Sequence, residues 1–509
     1  MSRRPKPKDG LTAGQRVALY EAELEEKRKK MLGEDSAGDK DPVSDEKLGG
    51  SAGVNADETV KNEKTVKKAL QKPQYATVNV DLSLKMGEIK PLHSMCNGPA
   101  SYGADISPLF REIGVPYVRF DCTDSAVSAY AVDISRIFKD SGADPTDPES
   151  YDFAVTDKYV EAAYLSGAKV IFRLGESIDL LASHKTPRIY DMPDVLARVC
   201  VNVIRHYNER WANGYEFGIE YFEIAGAAFD GDNGFEKYKQ LADSIKLYGE
   251  DIKIGGMSFD LFSGRTREFL RFCKKSRAPL DFLCVDCFAS DVEEVCAEAG
   301  KLSALMMNLG YNDCEIIFGK WGYANGELAR ADGSKDKSGF KKLLEDQRGV
   351  SGAAYAAAML LSLQNIEGLK TACFFDAQPM ISQFCAIADP FGEPRKPYYS
   401  FKAFGELYRA GGRVYAESLQ TDGMAHTGVY ACAATSDGGE AYIMLASFKG
   451  CGVIDLRLDG IPDDLYSADI YMLDGVKDMS LADTVPLSGM KKRILLNVSE
   501  YGVILVKLY

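Results

Sequence analysis

Charged residues stand in or directly after several apolar segments of this 509-residue chain, where they could do acid–base or nucleophilic chemistry. Glu176, Asp286 and Asp376 are the carboxylates, and Lys320 is the amine. Two carboxylates held close together can hydrolyse a glycosidic bond, one as acid and the other as nucleophile. A lysine can instead form a Schiff base with a carbonyl substrate. Which chemistry is available depends on the elements that position these side chains.

Apolar segments alternate with helical patterns over residues 73–410, an order typical of a largely parallel sheet. Eight such units predict an α/β fold, a (β/α)₈ TIM barrel. Active sites of this fold lie at the carboxyl ends of the strands, where the charged residues fall. The predicted strands are 89–95, 117–121, 170–175, 221–225, 252–256, 282–286, 316–319 and 372–376.

The pattern changes after the barrel, because residues 411–509 alternate between apolar and polar positions with Gly, Asp and Pro turns between the runs. This alternation predicts a small C-terminal antiparallel β-sandwich. Residues 76–84 alternate in the same way and are expected to add a strand to it.

Residues 1–72 differ from the rest, since they are dense in Lys, Glu, Asp, Gly and Ser and poor in large apolar residues. Such a composition predicts a disordered charged arm. One interpretation of this arm is a tether, or a docking helix over 12–31, for a protein partner. The simpler interpretation is a solvated tail.

The net charge of −14 argues against nucleic acid or an anionic membrane as the main partner. No apolar run reaches the roughly 18–20 residues that span a bilayer, and no secretory signal is recognisable, so we expect a cytoplasmic protein. We expect no cofactor and no metal. The one CxxC, Cys284–Cys287, lacks a second pair or nearby histidines, and 230–234 (DGDNG) lacks the Gly and distant Glu of an EF-hand.

Six short motifs spread over residues 75–509 occur in a fixed order: 89–99 (IKPLHSMCNGP), 172–179 (FRLGESID), 206–214 (HYNERWANG), 221–228 (YFEIAGAA), 315–323 (EIIFGKWGY) and 396–401 (KPYYSF). In this order they resemble the motifs of glycoside hydrolase family 39, which contains β-xylosidases and α-L-iduronidases. The resemblance implies the same barrel-and-sandwich fold, whereas function must be argued from the site.

The two catalytic motifs of that family are changed in this chain. Where relatives read Y-W/F-E-I-W-N-E-P, with the second Glu as general acid/base, this chain has Ala227. Where relatives read E-I-I-L-N-E-W-N-Y, with its second Glu as nucleophile, this chain has Lys320. An alanine cannot transfer a proton, and a lysine cannot carry the ester intermediate of a retaining glycosidase. The resemblance therefore implies a glycosidase fold that has lost its hydrolytic machinery.

Further departures fall at the same strand ends. Asp121 stands where relatives have His, Ala225 where they have Trp, and Val285-Asp286 where they have Trp-His. Lys320 and Asp286 belong to adjacent predicted strands, so we expect an ion pair between them that fills the space of the lost site. Neighbouring carboxylates stabilise the protonated amine, which disfavours Schiff-base chemistry.

The predicted pocket comprises residues suited to stacking on a sugar or hydrogen-bonding it: His93, Arg119, Asp121, Glu176, Asp286, Trp321 and Tyr323. The leading hypothesis is a catalytically inactive pseudo-glycosidase that binds carbohydrate. One alternative is an active O-glycosyl hydrolase with relocated carboxylates drawn from Glu176, Asp230, Asp232, Asp286 and Asp376. Another is a structural or regulatory scaffold. Glu223 is interpreted as a buried structural residue.

Overall fold

The computed structural model describes residues 75–101, 104–121, 131–177, 187–229, 231, 233–324, 337–379, 382, 384–419, 427–450, 452–463, 465–487 and 492–509. The predicted arm 1–72 lies outside the described residues, as do Asp230 and Asp232.

Strands of the N-terminal part are β1 (Tyr75–Glu88), β2 (Ser94–Cys96), β3 (Ala100–Ser101), β4 (Ala104–Asp105), β5 (Tyr117–Arg119), β6 (Lys169–Arg173), β7 (Tyr221–Glu223), β8 (Lys253–Asp260), β9 (Phe282–Ala289), β10 (Glu315–Tyr323) and β11 (Leu369–Phe374). Those of the C-terminal part are β12 (Gly412–Leu419), β13 (Val429–Thr435), β14 (Ala441–Phe448), β15 (Val453–Asp459), β16 (Ser467–Leu473), β17 (Asp478–Pro486), β18 (Lys492–Asn497) and β19 (Tyr501–Leu508).

The α-helices are α1 (Ser107–Ile113), α2 (Ile134–Ile137), α3 (Ala154–Leu165), α4 (Pro193–Asn208), α5 (Gly234–Tyr248), α6 (Arg265–Ser276), α7 (Val292–Asn308), α8 (Lys337–Arg348), α9 (Val350–Ser362) and α10 (Lys396–Ala410). Short 3₁₀ turns occupy Pro148–Ser150, Arg188–Asp191, Trp211–Asn213, Ala227–Phe229 and Leu363–Asn365.

Eight parallel strands close into a barrel in the order β10-β11-β2-β5-β6-β7-β8-β9, which confirms the predicted (β/α)₈ fold. The first barrel strand is shorter than predicted and begins at Ser94. Pro91 lies in the stretch before it and has no N–H to give to a strand ladder. The middle of the barrel is filled by apolar and aromatic side chains, among them Cys96, Ile171, Phe282, Ile317 and Cys373.

The C-terminal part forms a separate nine-stranded sheet, in the order β17-β16-β19-β14-β13-β12-β1-β15-β18, which gives the predicted sandwich. Strand β1 lies in the middle of this sheet, antiparallel to β12 and parallel to β15. Its alternating residues Ala76, Val78, Val80 and Leu82 are buried in the sandwich core. The first described strand therefore closes a domain whose other strands lie more than 300 residues later in the chain.

Helix α9 connects the two parts of the molecule. It is apolar on all sides, and residues 352–361 are buried, as expected for a helix enclosed by other elements. Tyr355 packs against Trp321 and Tyr323 of the barrel and against Phe448 of the sandwich.

No helix in the described ranges is long and apolar enough to cross a bilayer.

Because β1 is central to the sandwich, a charge on its buried face should unfold this domain. We expect Val78→Asp to lower the free energy of unfolding by more than about 4 kcal/mol, since Val78 is fully buried and the carboxylate would have no partner. The matched control Asn79→Asp lies on the half-buried face and should cost less than about 1 kcal/mol. Urea denaturation followed by circular dichroism measures both, and equal effects would contradict the assigned register.

Candidate functional site

A set of ion pairs, largely shielded from water, lies at the carboxyl ends of the barrel strands. The Nζ of Lys320 is 2.9 Å from Oδ2 of Asp121 and 3.2 Å from Oδ2 of Asp286. Lys320 and Asp286 belong to the neighbouring strands β10 and β9, whereas Asp121 follows β5 across the barrel mouth. One ammonium group therefore bridges two carboxylates from opposite sides of the mouth.

An irregularity in β10 turns Lys320 toward the barrel interior. The pairing of β10 with β9 shifts between Phe318 and Lys320, and Lys320 then lies opposite Asp286. An extra residue at such a bulge changes which side chains face inward. After Lys320, the side chains again alternate between the two faces of the strand, starting from this shifted pairing.

A second pair lies deeper in the barrel. Arg119 of β5 donates from Nε to Oε2 of Glu223 at 2.6 Å and from Nη2 to Oε1 at 3.0 Å. The Ser258 hydroxyl also donates to Glu223 at 2.9 Å. Both members of the pair are buried, and a two-point Arg–carboxylate contact is strong and fixed in geometry. Both carboxylate oxygens of Glu223 are thus bound by Arg119, as expected for a structural residue.

Asp121 is held by more than one cation. Arg173 Nη1 donates to its Oδ1 at 2.9 Å, and Arg173 also contacts Asp133. Burial alone would raise the pKa of Asp121, but Lys320, Arg173 and Arg119 together hold this pKa below its ordinary value. Asp121 is therefore an ionised, fully engaged carboxylate.

Asp286 differs from Asp121 although both contact the same lysine. Burial raises the pKa of Asp286, while Lys320 and Arg119 oppose this rise. Its other oxygen, Oδ1, lies 3.2 Å from the Ser258 hydroxyl, whose single hydrogen is shared with the nearer Glu223. Since Oδ2 of Asp121 and Oδ2 of Asp286 contact one Nζ, these two oxygens lie at most about 6 Å apart.

Asp376 lies two residues after the end of β11 and is buried with neutral partners. It accepts from the backbone N–H of Gln378 at 2.7 Å and from the amide of the same residue at 3.3 Å. Within the part of the chain that the structure describes, no Lys, Arg or His forms an ion pair with it. Burial raises the pKa of Asp376 to about 7.

Glu176 accepts hydrogen bonds from residues of neighbouring elements. It accepts from the Ser135 N–H at 2.8 Å, the Ser135 hydroxyl at 2.7 Å and the Tyr190 hydroxyl at 3.0 Å. These bonds fix the first turn of α2 and leave Glu176 engaged on both oxygens. Side-chain capping of a helix start is a structural role.

His93, Trp321 and Tyr323 belong to the predicted pocket, but the structure does not bring them to the mouth. His93 precedes β2, so it lies at the other end of the barrel, where its Nε2–H donates to the Gly114 carbonyl at 3.1 Å. Burial lowers the pKa of His93 to about 3, so the ring is neutral. Trp321 and Tyr323 point away from the barrel toward Tyr355, because the shift at Lys320 sends the next odd-numbered residues outward.

The ends of β6 and β7 approach each other closely at two glycines. A Cβ on Gly175 would overlap the carbonyl oxygen of Ala225, and a Cβ on Gly226 would overlap that of Glu176. Gly226 also has a φ of +112°, which side chains other than glycine rarely adopt. An Asn at 226, as in family 39, would require the backbone to move. Ala227 opens the short 3₁₀ turn that follows.

Arg173, Asp133 and Ser258 complete the ion network but were not among the predicted site residues. Arg173 is part of the 172–179 motif, and its position at a strand end was the available signal. Ser258 has a φ of +59°, which no sequence pattern indicated.

Within the described ranges, no group of three or more His, Cys, Asp or Glu side chains is placed to hold a metal ion.

No protein-family model and no curated protein matches the sequence. The fold, however, is similar to that of several solved glycosidases. A glucosidase from Croceicoccus marinus has a TM-score of 0.68 and 21% identity, covering 85% of this chain and 98% of its own. A GH39 enzyme from Xanthomonas axonopodis pv. citri has a TM-score of 0.59 and 13% identity over 85% and 97% of the two chains. The GH51 α-L-arabinofuranosidase from Thermotoga petrophila RKU-1 has a TM-score of 0.59 and 11% identity over 85% and 100%.

These likenesses show that the chain has a glycosidase fold.

Removing the shared cation should leave two largely buried carboxylates facing each other. We expect Lys320→Met to lower the free energy of unfolding by about 3–5 kcal/mol at neutral pH. The pKa of Asp121 is lowered in the folded protein, so the stability it contributes is present above its ordinary value of 3.8 and is lost as pH falls. The cost of Lys320→Met should therefore shrink in acid.

Denaturant titrations across pH measure this cost. Lys301→Met is the matched control, because Lys301 pairs with Glu298 at the surface and should cost less than about 1 kcal/mol. A neutral or stabilising Lys320→Met at neutral pH would contradict the ion-pair assignment.

The raised pKa of Asp376 leads us to expect a second pH dependence of the stability, opposite in sign to that of Asp121. Its pKa in the folded protein, about 7, exceeds its ordinary value of 3.8, so its favourable contribution is complete below pH 3.8 and is lost as pH rises to 7. Relative to Asp376→Asn, the wild type should lose a few kcal/mol of stability between these values. Denaturant titrations at several pH values measure this loss. If the free energy of unfolding changed equally with pH in both proteins, the assignment would be refuted.

Proposed function

We propose that this chain is a family 39-like protein that does not hydrolyse glycosides and whose barrel mouth binds carbohydrate. The observation that carries the proposal is the position of Lys320. It occupies the nucleophile position of the resembling motif and contacts Asp121 and Asp286, of which Asp286 is one of the candidate replacement carboxylates. The glycosidase fold of the structural neighbours supports a sugar as the ligand class.

Three of the described carboxylates are poorly placed for catalysis. Glu223 is bound on both oxygens by Arg119, Asp121 is shared between Arg173 and Lys320, and Glu176 holds α2. A nucleophilic carboxylate must reach the anomeric carbon, and a general acid must reach the leaving oxygen. Each of these groups would first have to break its buried bonds.

Sugar binding at the mouth would use Lys320 and Asp286, which keep some contact with solvent among the residues that the structure describes there. The Lys320 and Asp286 side chains are each 15% exposed, whereas Arg119 is 1% exposed. An ammonium group can donate to a sugar hydroxyl, and a carboxylate can accept from one. Because Trp321 and Tyr323 face away, the mouth would hold a sugar through these polar contacts.

One observation favours a second candidate function, an active hydrolase with relocated carboxylates. The contacting oxygens of Asp121 and Asp286 lie at most about 6 Å apart, a range that includes the glycosidase spacing of about 5–5.5 Å, and their surroundings shift their pKa values in opposite directions. Such a difference is typical of an acid and a nucleophile that work together. Against it, Lys320 contacts both carboxylates and occupies the space between them, where the scissile bond would have to lie.

Hydrolysis of an aryl β-xyloside distinguishes the two candidates. We expect no turnover by the native protein above the rate in buffer. Turnover in the native protein that disappears in Asp286→Asn would overturn the inactive assignment and support the relocated pair.

A revertant tests whether the sugar site itself is intact. Ala227→Glu combined with Lys320→Glu restores both missing carboxylates and keeps Gly226, which has no room for a side chain. We expect slow turnover by this variant and none by the control Lys320→Met, which removes the amine without adding a carboxylate. Equilibrium titration of the native protein with xylobiose tests the binding half of the proposal, and no binding would contradict it.

A further inference from the structure

A surface groove outside the barrel lies between α1 and α3. Its volume is about 640 Å³, and one face of α3 forms a wall through Ala154, Lys158 and Glu161. Arg111 of α1 lies on the other wall, and Tyr215 also lines the groove. The wall formed by α3 extends from Ala154 to Leu165, about 16 Å at the helical rise. The groove is long enough for an extended chain of small units.

A row of stacked rings leads from this groove to the surface. Tyr215 stacks on Phe217 with ring centroids 4.4 Å apart, and Phe217 stacks on Tyr164 at 4.1 Å. Tyr164 ends the row and is 44% exposed. Since Tyr164 and the groove residue Glu161 are three apart on α3, they lie on the same side of the helix. The row therefore presents a fixed aromatic ring beside the groove.

The loop that carries Tyr215 and Phe217 is held in an unusual conformation. Arg210, Ala212 and Asn213 have φ values of 58°, 52° and 59°, which are rare for residues other than glycine. His206 bonds the Trp211 carbonyl at 2.9 Å through Nδ1, and its Nε2 contacts the groove residue Asp157 at 2.9 Å. Such backbone persists only where the surroundings impose it, and it is often found at binding sites. Rings held in this way lose little conformational freedom on binding.

The charges of the groove select a class of ligand. Asp105, Asp157 and Glu161 line it together with Arg111 and Lys158, so acidic and basic groups nearly balance. A balanced lining gives little attraction for a strongly charged ligand of either sign. Carboxylates can accept hydrogen bonds from hydroxyl groups, and basic groups can donate hydrogen bonds to them. An aromatic ring with an open face adds apolar contact area.

We propose that this groove, together with the Tyr164 ring, is a second carbohydrate-binding surface that takes a neutral oligosaccharide. It is distinct from the barrel mouth, because its residues belong to β4, α1, α3 and the 209–218 loop. The site does not depend on whether the mouth binds a sugar or hydrolyses one.

Hydrogen exchange with the full-length protein tests this surface. The probes are xylohexaose and cellohexaose, with polygalacturonate and chitosan hexamer as the anionic and cationic controls. The expected result is slower exchange in peptides covering 154–165 and 209–218 with the neutral probes, and little change with the charged controls. Slower exchange confined to strands β9 and β10 would overturn the proposal, as would no effect of either neutral probe.

Point variants make the test specific. Tyr164→Ala removes an exposed ring and should weaken binding about tenfold in calorimetry, whereas Tyr164→Phe keeps the ring and should bind as the wild type does. Lys158→Ala removes a groove donor and should weaken binding without moving the melting temperature. Lys301→Met changes an exposed side chain of α7 and should leave the protection that the neutral probes give to 154–165 unchanged. Wild-type affinity in Tyr164→Ala, or loss of that protection in Lys301→Met, would overturn the proposal.

Discussion

The contact of Lys320 with Asp121 and Asp286 determines what the barrel mouth can do. Three charged groups that water reaches little can coexist there because one ammonium lies between two carboxylates. An uncompensated charge at this depth would cost several kcal/mol. Arg119 with Glu223, and Arg173 with Asp121 and Asp133, extend the same arrangement inward. The Asp121 and Asp286 carboxylates are thereby bound to the same ammonium group.

The close approach of β6 and β7 supports the same conclusion independently. Gly175 and Gly226 let the two strand ends come together so tightly that a side chain at either position would overlap a carbonyl oxygen. In family 39 the corresponding strand end carries the Asn-Glu pair that includes the acid. In this chain the backbone itself occupies part of that space. The backbone at the end of β7 therefore requires glycine at position 226.

Much of the fold could be predicted from the pattern of apolar and polar residues in the sequence. Alternating apolar segments and helices predicted the barrel, and the period-2 runs predicted the sandwich, because both depend on which faces must be buried. The contact of Lys320 with Asp286 also followed, since it needs only that β9 and β10 be neighbours. That Asp121 reaches the same lysine across the mouth could not be read from strand order alone, because it depends on how the barrel closes.

The predicted pocket was less accurate for physical reasons that local sequence does not encode. A single irregularity between Phe318 and Lys320 sends Trp321 and Tyr323 to the outside of the barrel. His93 lies before a strand that begins later than predicted, so it falls at the opposite barrel end. The bonds of Glu176 to Ser135 link residues more than 40 positions apart. Each of these features depends on three-dimensional packing.

The central claim, that no carboxylate of this mouth acts as a glycosidase nucleophile, is tested most directly by covalent trapping. The native protein would be incubated with a 2-deoxy-2-fluoro-xylosyl fluoride, which forms a long-lived ester with the nucleophile of a retaining enzyme. Intact-mass spectrometry then reports any adduct, and peptide mapping locates it. Our account predicts an unchanged mass. A stoichiometric glycosyl adduct on Asp121 or Asp286 would contradict it and identify this chain as a working hydrolase.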